Sequence, residues 1–346
     1  MREEGLYDKI VKSRFSLWQS RGHIFALPHD VHPVGLCYCR DTVEKLGIDV
    51  EKLKTWDDFV AMGKEIAKIK DANGIRKHYP LEMQINNTTA LIILSIQNGA
   101  QLFDEQGNVT MDSPKMLETV VWYAKQTTGD DRIGYDPGDG QNLYRALQDG
   151  LVLFFFTPDW RSCSFQQDLP AEKGNLGLIP LPVWEEGGRN SSTWGGTGLA
   201  ITKQCKNQDL AWKFAKFLYC KSDDLARRFT STNILPPFKE AWTAPEFKEK
   251  NEFYGGQSIG EFYISIADNT PPKHASPYST QAENRILDVL SFARAYREAH
   301  PDDDEGLVRE TEKLLKEKAD YIRQLIARNK FLAATQLEEG GKSDEN

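Results

Sequence analysis

Two short stretches carry side chains whose types and spacing could do ligand chemistry. One is Trp194-Gly195-Gly196-Thr197, at the entry to a short apolar run. A glycine pair frees the backbone to bend or to approach another group closely. The indole beside it offers a large flat face with one polar N–H. The other is Asp159-Trp160-Arg161, directly after the apolar run in "LVLFFFTPDW". Ligands of open α/β sheets meet the segments at the carboxyl ends of strands. Trp160 is then placed to stack, and Asp159 or Arg161 to hydrogen-bond, Arg161 through its two-pronged fork. The competing readings are a tight strand entry with a core tryptophan, and a packed tryptophan beside a surface ion pair.

Other clusters lead nowhere. His29-x-x-His32 has a spacing that suggests a metal, but in a strand residues three apart point to opposite faces. His23, on the face of His29, would lie about 20 Å away. No compact carboxylate or cysteine group completes a ligand set. Cys37-x-Cys39 shares one strand face and reads as buried thiol packing. No metal and no other cofactor is expected. Serine and cysteine nucleophiles lack a G-x-S-x-G elbow or a recognisable partner arrangement. "GDGQNLYRALQDG" is neither a P-loop nor a dinucleotide fingerprint. Glu82, Gln84, Gln97, Asn98 and Asn142 lie near expected ligand loops, and spacing does not select among them. Phe103 and Trp184 read as packing residues.

The elements that must position these residues follow from periodicity and punctuation. "GHIFALPHDVHPVGLCYCR" reads as extended, broken at Pro28 and Pro33. "KTWDDFVAMGKEIAKIKD" is a helix with Thr55 as N-cap, Asp58 three residues on, and a stripe of Phe59, Met62, Ile66 and Ile69. A strand and then an apolar helix ending at Asn98-Gly99 occupy 81–103. Pro114 opens the next helix, and Gly150 sits where the helix "QNLYRALQ" needs a left-handed residue to stop. "LVLFFFTP" is a strand buried on both faces. Further helices follow in "NQDLAWKFAKFLYCK", in 281–299 and in 305–330. Strands alternating with helices mean an α/β protein with a largely parallel sheet. The 346 residues suffice for two domains. A net charge of −8 argues against a nucleic-acid or anionic-membrane partner. No window holds the ~18 apolar residues of a membrane span. The first residues lack a secretory h-region, so the polypeptide taken literally would stay in the cytosol. Five cysteines without framework spacing make no disulfide scaffold.

Three longer stretches, in order, resemble the family-1, sugar-binding type of ABC-transporter extracellular solute-binding proteins. "GHIFALPHDVHPVGLCYCRDTVEKLGIDVEKLKTWDDFVAMGKEIAK" is similar to the family's passage from the first hinge into the second lobe. "IQNGAQLFDEQGNVTMDSP" resembles its helix-turn after the mid-lobe strand. "TPDWRSCSFQQDLPAEKGNLGLIPLPVWEEGGRNSSTWGGTGLAITKQCKNQDLAWKFAKFL" resembles the return across the second hinge. The resemblance covers roughly residues 5 to 330.

It implies a type II periplasmic-binding-protein-like α/β fold, with two lobes, hinge crossings and the first lobe truncated. Residues 1–31 and 199–232, with part of 257–300, would form a remnant of lobe one. Residues 36–193, with 233–256 and 301–330, would form lobe two, and 331–346 a disordered tail. A mono- or oligosaccharide would sit between the lobes. Trp160 and Trp194 would stack on its C–H faces, and Gly195 and Gly196 would offer backbone N–H groups to its hydroxyls. Asp30 and His29, in the first crossing, would face the cleft beside Asp159 and Arg161, with Gln97 and Asn98 nearby. The partners implied are the permease transmembrane subunits. The implied location is extracellular or periplasmic, with or without a lipid anchor. Lobe one would lack most of its sheet, so the isolated chain is expected to be poorly soluble or unable to bind ligand. Two rivals stand beside this reading. A carbohydrate-active hydrolase needs a carboxylate pair about 5–9.5 Å apart, and no motif-grade pair is present. A sensor or scaffold partner could use the same fold.

Overall fold

The computed structural model describes residues 1–20 and 22–329; the tail expected over 331–346 lies outside the described residues. Among them, nine strands occur in chain order: β1 (Gln19–Ser20), β2 (His23–Ile24), β3 (Leu27–Pro28), β4 (Val34–Cys39), β5 (Tyr79–Glu82), β6 (Gly134–Tyr135), β7 (Val152–Pro158), β8 (Leu176–Pro180) and β9 (Gly198–Leu199). An uninterrupted apolar run must bury both faces, and every residue of β7 is buried. It is the middle strand of a five-stranded sheet ordered β6–β5–β7–β4–β8. β5 runs parallel to β6 and β7, whereas β4 is antiparallel to both its neighbours. Leu36 thereby faces Phe156 on one side and Ile179 on the other.

Strand alternation divides the core in two. Leu36, Tyr38, Phe154 and Phe156 join the helices Trp56–Ala67, Thr89–Gln97, Pro114–Gln126, Ser279–Ala299 and Asp304–Ala327 on one face. Cys37, Cys39 and Phe155 join Gln141–Gln148, Asp159–Asp168, Ser222–Thr232 and Ile259–Ala267 on the other. The two thiols therefore share one buried face, and burial pushes Cys39 up to about 12. All five cysteines are free.

Local signals fix the element ends. Thr55 and Asp58 form a reciprocal capping box, with each side chain accepting from the other's backbone N–H. Gly99 and Gly150 adopt φ of 90° and 65° just past their helices, the left-handed stop that a Cβ would oppose. Residues 89–97 carry apolar side chains on all sides, and Ala90 through Gln97 are buried.

Other features differ from the sequence reading. The segment after β7 is not a loop: Asp159 opens a helix directly, with its acidic group in the first turn. The helix Ile259–Ala267 has no counterpart in that reading. Outside the main sheet the described residues form two small ladders. One is the β1–β2 pair. In the other, β3 meets β9, with Leu27 opposite Leu199 and Pro28 opposite Gly198. The helix Gln208–Tyr219 buries only Ala215. Its Leu210, Phe214 and Phe217 are 61%, 57% and 54% exposed. No helix among the described residues is long and apolar enough to cross a membrane.

Candidate functional site

Trp160 and Trp194 meet at the carboxyl end of β7. Their ring centroids are 5.1 Å apart at 73°, an edge-on pair, and both rings are only partly buried. The Trp160 indole N–H donates to the Trp194 carbonyl at 3.3 Å. Under Trp194, 5.2 Å from its ring centroid, lies the Arg161 guanidinium. Its fork closes on Glu82 at 2.7 and 2.9 Å and also reaches the Phe156 carbonyl. Glu82 accepts a further bond from Gln84 Nε2, while Gln84 Oε1 is buried with no partner among the described residues. Arg161 thus supports the platform from below, and its fork is already engaged.

The glycine pair is explained by its backbone. Gly195 and Gly196 have φ of 94° and 145°. A Cβ on Gly196 would lie 2.6 Å from Arg14 Nη2 and 2.4 Å from Leu17 Cδ1, so a side chain there would have to displace both. Among the described residues neither glycine N–H has an acceptor. The turn therefore presents two unbonded donors beside two indole faces.

Behind this surface runs a buried chain of charge. Arg14 donates to Thr193 Oγ1 at 2.7 Å, to the Gly195 carbonyl at 3.2 Å and to the Asp30 carbonyl at 3.1 Å, and pairs with Asp30 Oδ1 at 3.5 Å. His32 Nε2 lies 3.1 Å from Asp30 Oδ2, and its Nδ1 lies 2.6 Å from Asp159 Oδ1. Asp159 accepts the N–H groups of Trp160 and Leu235, and Asp30 accepts that of Thr197. Arg14, Asp30, His32 and Asp159 are 1%, 1%, 5% and 0% exposed. Burial alone would lower the His32 pKa, but Asp159 and Asp30 outweigh it and push it up to about 9. Burial opposes ionisation of Asp30 too, yet His29, His32 and Arg14 hold its carboxyl well below the usual carboxylate range.

His29 and His32 do not point to opposite faces. His32 has φ 52°, in the left-handed region, so both imidazoles turn towards Asp30 Oδ2, His29 at 3.4 Å. His29 also packs on Tyr219 and borders a small cavity lined by Leu225, Arg228, Thr232, Ile234 and Pro236. The structure brings Asp30, His29, Asp159, Trp160, Arg161, Trp194, Gly195 and Gly196 to one locus. It places Gln97 and Asn98 elsewhere in the hydrogen-bond network. Gln97 accepts from Trp56 Nε1 and donates to the carbonyls of Pro182 and Arg189, while Asn98 donates to Thr119 Oγ1. Sequence reading overlooked Arg14 and did not single out Glu82. No clear signal was available, since Arg14 stands among Lys12, Ser13 and Ser16 and looks like a surface cation until its buried partners are placed.

Comparison with known proteins gives this geometry a context. The family model described as bacterial extracellular solute-binding protein matches residues 3–221. An arabinooligosaccharide-binding protein of Halalkalibacterium halodurans is 27% identical over 292 residues, covering 82% of this chain and 63% of the relative. One of Bacillus subtilis is 26% identical over 273 residues, covering 77% of this chain and 61% of the relative. The chain thus spans less than two thirds of the length of either. Among solved structures, the sugar-binding protein MalE from Xanthomonas citri superposes with a TM-score of 0.68 at 17% identity, covering 93% of this chain and 77% of that one. The transporter-associated binding protein of B. animalis subsp. lactis, in complex with beta-1,6-galactobiose, gives 0.67 at 19% identity, covering 94% and 80%. These likenesses establish a type II periplasmic-binding-protein fold. With the family match spanning most of the chain, it follows that this protein belongs to the bacterial extracellular solute-binding proteins, family 1.

Proposed function

We propose that this chain captures an oligosaccharide without altering it chemically, for delivery to an ABC permease outside the cytoplasmic membrane. The observation that carries the reading is the partly exposed, edge-on indole pair beside two glycine N–H groups that no described residue accepts. Indole faces suit the C–H faces of sugar rings, and convergent donors on an aromatic wall suit their hydroxyls. The names of the two relatives favour arabinose-containing oligosaccharides as the first class to try. Selectivity comes from complete pairing, because each buried polar group left unpaired costs about 1–3 kcal/mol. Capture becomes a transport signal when the ligand favours one closed arrangement of the protein over the open one.

Titration calorimetry with arabino-oligosaccharides, maltotetraose and galactobiose tests the reading. Saturable heat with at least one of them, and unchanged sugar recovered afterwards, is the expected result. No heat with any sugar, or cleaved sugar in the recovered fraction, would overturn it.

A further inference from the structure

We propose that His32 is held as an imidazolium and serves as a positioning residue for the Trp160–Trp194 platform, so that carbohydrate binding depends on one buried proton. The inference rests on the sugar-binding reading above. It starts from hydrogen-bond counting. Both His32 ring nitrogens face carboxylate oxygens, at 2.6 and 3.1 Å. A neutral imidazole has one N–H and one lone pair, so one of these contacts would set a lone pair against a carboxylate. Charge gives the same answer. Arg14, Asp30 and Asp159 alone leave one uncompensated negative charge in a site closed to water, and a protonated His32 brings the sum to zero.

The chain of charge ends on the platform at both sides. On one side Asp159 takes the N–H of Trp160, fixing the start of that helix, and also the N–H of Leu235. On the other, Arg14 holds Thr193 and the Gly195 carbonyl, and Asp30 holds Thr197, so the residues on either side of Trp194 are tied down. A Cβ on Gly195 would lie 3.4 Å from His32 Cδ2, so the imidazole occupies the space beside the turn. His32 joins the two halves from behind, alongside the direct bond from the Trp160 indole to the Trp194 carbonyl. Loss of its proton leaves a carboxylate facing a lone pair and frees the Trp160 side to move relative to the Trp194 side. The other ionisable groups here are His29, 3.4 Å from Asp30, and Tyr263 of the helix Ile259–Ala267, which interacts with Asp159. Burial raises the Tyr263 phenol well above its ordinary value, so it stays neutral when His32 titrates near 9.

The test uses the full chain labelled with 5-fluorotryptophan, wild type and Asp159→Asn. Fluorine NMR is followed from pH 6 to 10 without sugar, and calorimetry with an arabino-oligosaccharide over the same range. In the wild type the Trp160 and Trp194 resonances should shift together with a midpoint near 9, and affinity should hold to about pH 8, halve by the midpoint and be about tenfold lower at pH 10. Asp159→Asn removes one buried negative charge, so the set balances with a neutral His32, and both readouts should flatten. Wild-type resonances and affinity that stay constant from pH 6 to 10 would overturn the inference, and so would an unchanged midpoint in Asp159→Asn. The wild-type arm decides alone if the variant does not fold. If the resonances titrate but no sugar binds at any pH, the positioning role stands and the sugar-binding reading falls.

Discussion

A single indole is the smallest unit on which the binding reading depends. Trp194→Ala and Trp160→Ala should each weaken oligosaccharide binding by about tenfold or more, roughly 1.4 kcal/mol, with thermal stability little changed because both rings are partly exposed. Equal affinity in both variants, measured by calorimetry, would remove the platform from the site. Arg161 should behave differently. Its loss strands Glu82, which is fully buried, so Arg161→Ala should cost about 3–5 kcal/mol in urea unfolding, whereas the paired replacement Arg161→Met with Glu82→Leu should recover most of that. The charge chain sets a pH profile for stability. His32 has its folded pKa raised from 6.5 to about 9, so its contribution is complete below about 6.5 and is lost as pH rises towards 9. Asp30 is depressed below 3.8, so its contribution is present above that value and lost under acid. Melting temperature should therefore plateau between about pH 4 and 6.5 and decline through pH 9; a profile rising over that upper interval would contradict the network. The tryptophans were legible in the sequence because each stands beside residues with an unusual local purpose. The network was not: Arg14, Asp159 and the Asp30–His32 pair lie far from one another in sequence, and only the fold decides whether a carboxylate meets a ligand or an imidazole.

Helices and strands were read well where their signals are local. Thr55 and Gly150 announce the start of one helix and the end of another through side-chain bonding and backbone freedom alone. Thr55→Ala should cost about 1 kcal/mol of unfolding free energy, read as a lower denaturation midpoint with unchanged slope. No shift would mean that tertiary packing alone holds that helix end. Strand pairing is less local. Nothing in "VGLCYC" says that β4 runs against the strands on either side of it, since direction is settled by where the chain must cross. The helix that begins at Asp159 was likewise hidden, because Asp159, Trp160 and Arg161 were assigned to ligand instead.

At the scale of the whole molecule, one helix lacks a cover. Leu210, Phe214 and Phe217 recur at helical spacing and stand more than half exposed, an apolar stripe of the kind that drives association. The chain should form concentration-dependent oligomers in light scattering, and replacing Phe214 and Phe217 with glutamate should shift it towards monomer. A monodisperse wild-type monomer at high concentration would show that the stripe is tolerated as it stands. The sheet carries a different implication, about time. Val34 pairs with Pro158 and Cys39 with Leu176, so the strand between two neighbours in space has none near it in sequence. Long loops must close before such a strand gains anything. At about 5–20 residues per second, the nascent polypeptide carries this unpaired apolar segment for on the order of ten seconds before its first partner leaves the ribosome. A strand placed this way stays open to chaperones or a translocon during synthesis and locks only once β7 and β8 have both emerged.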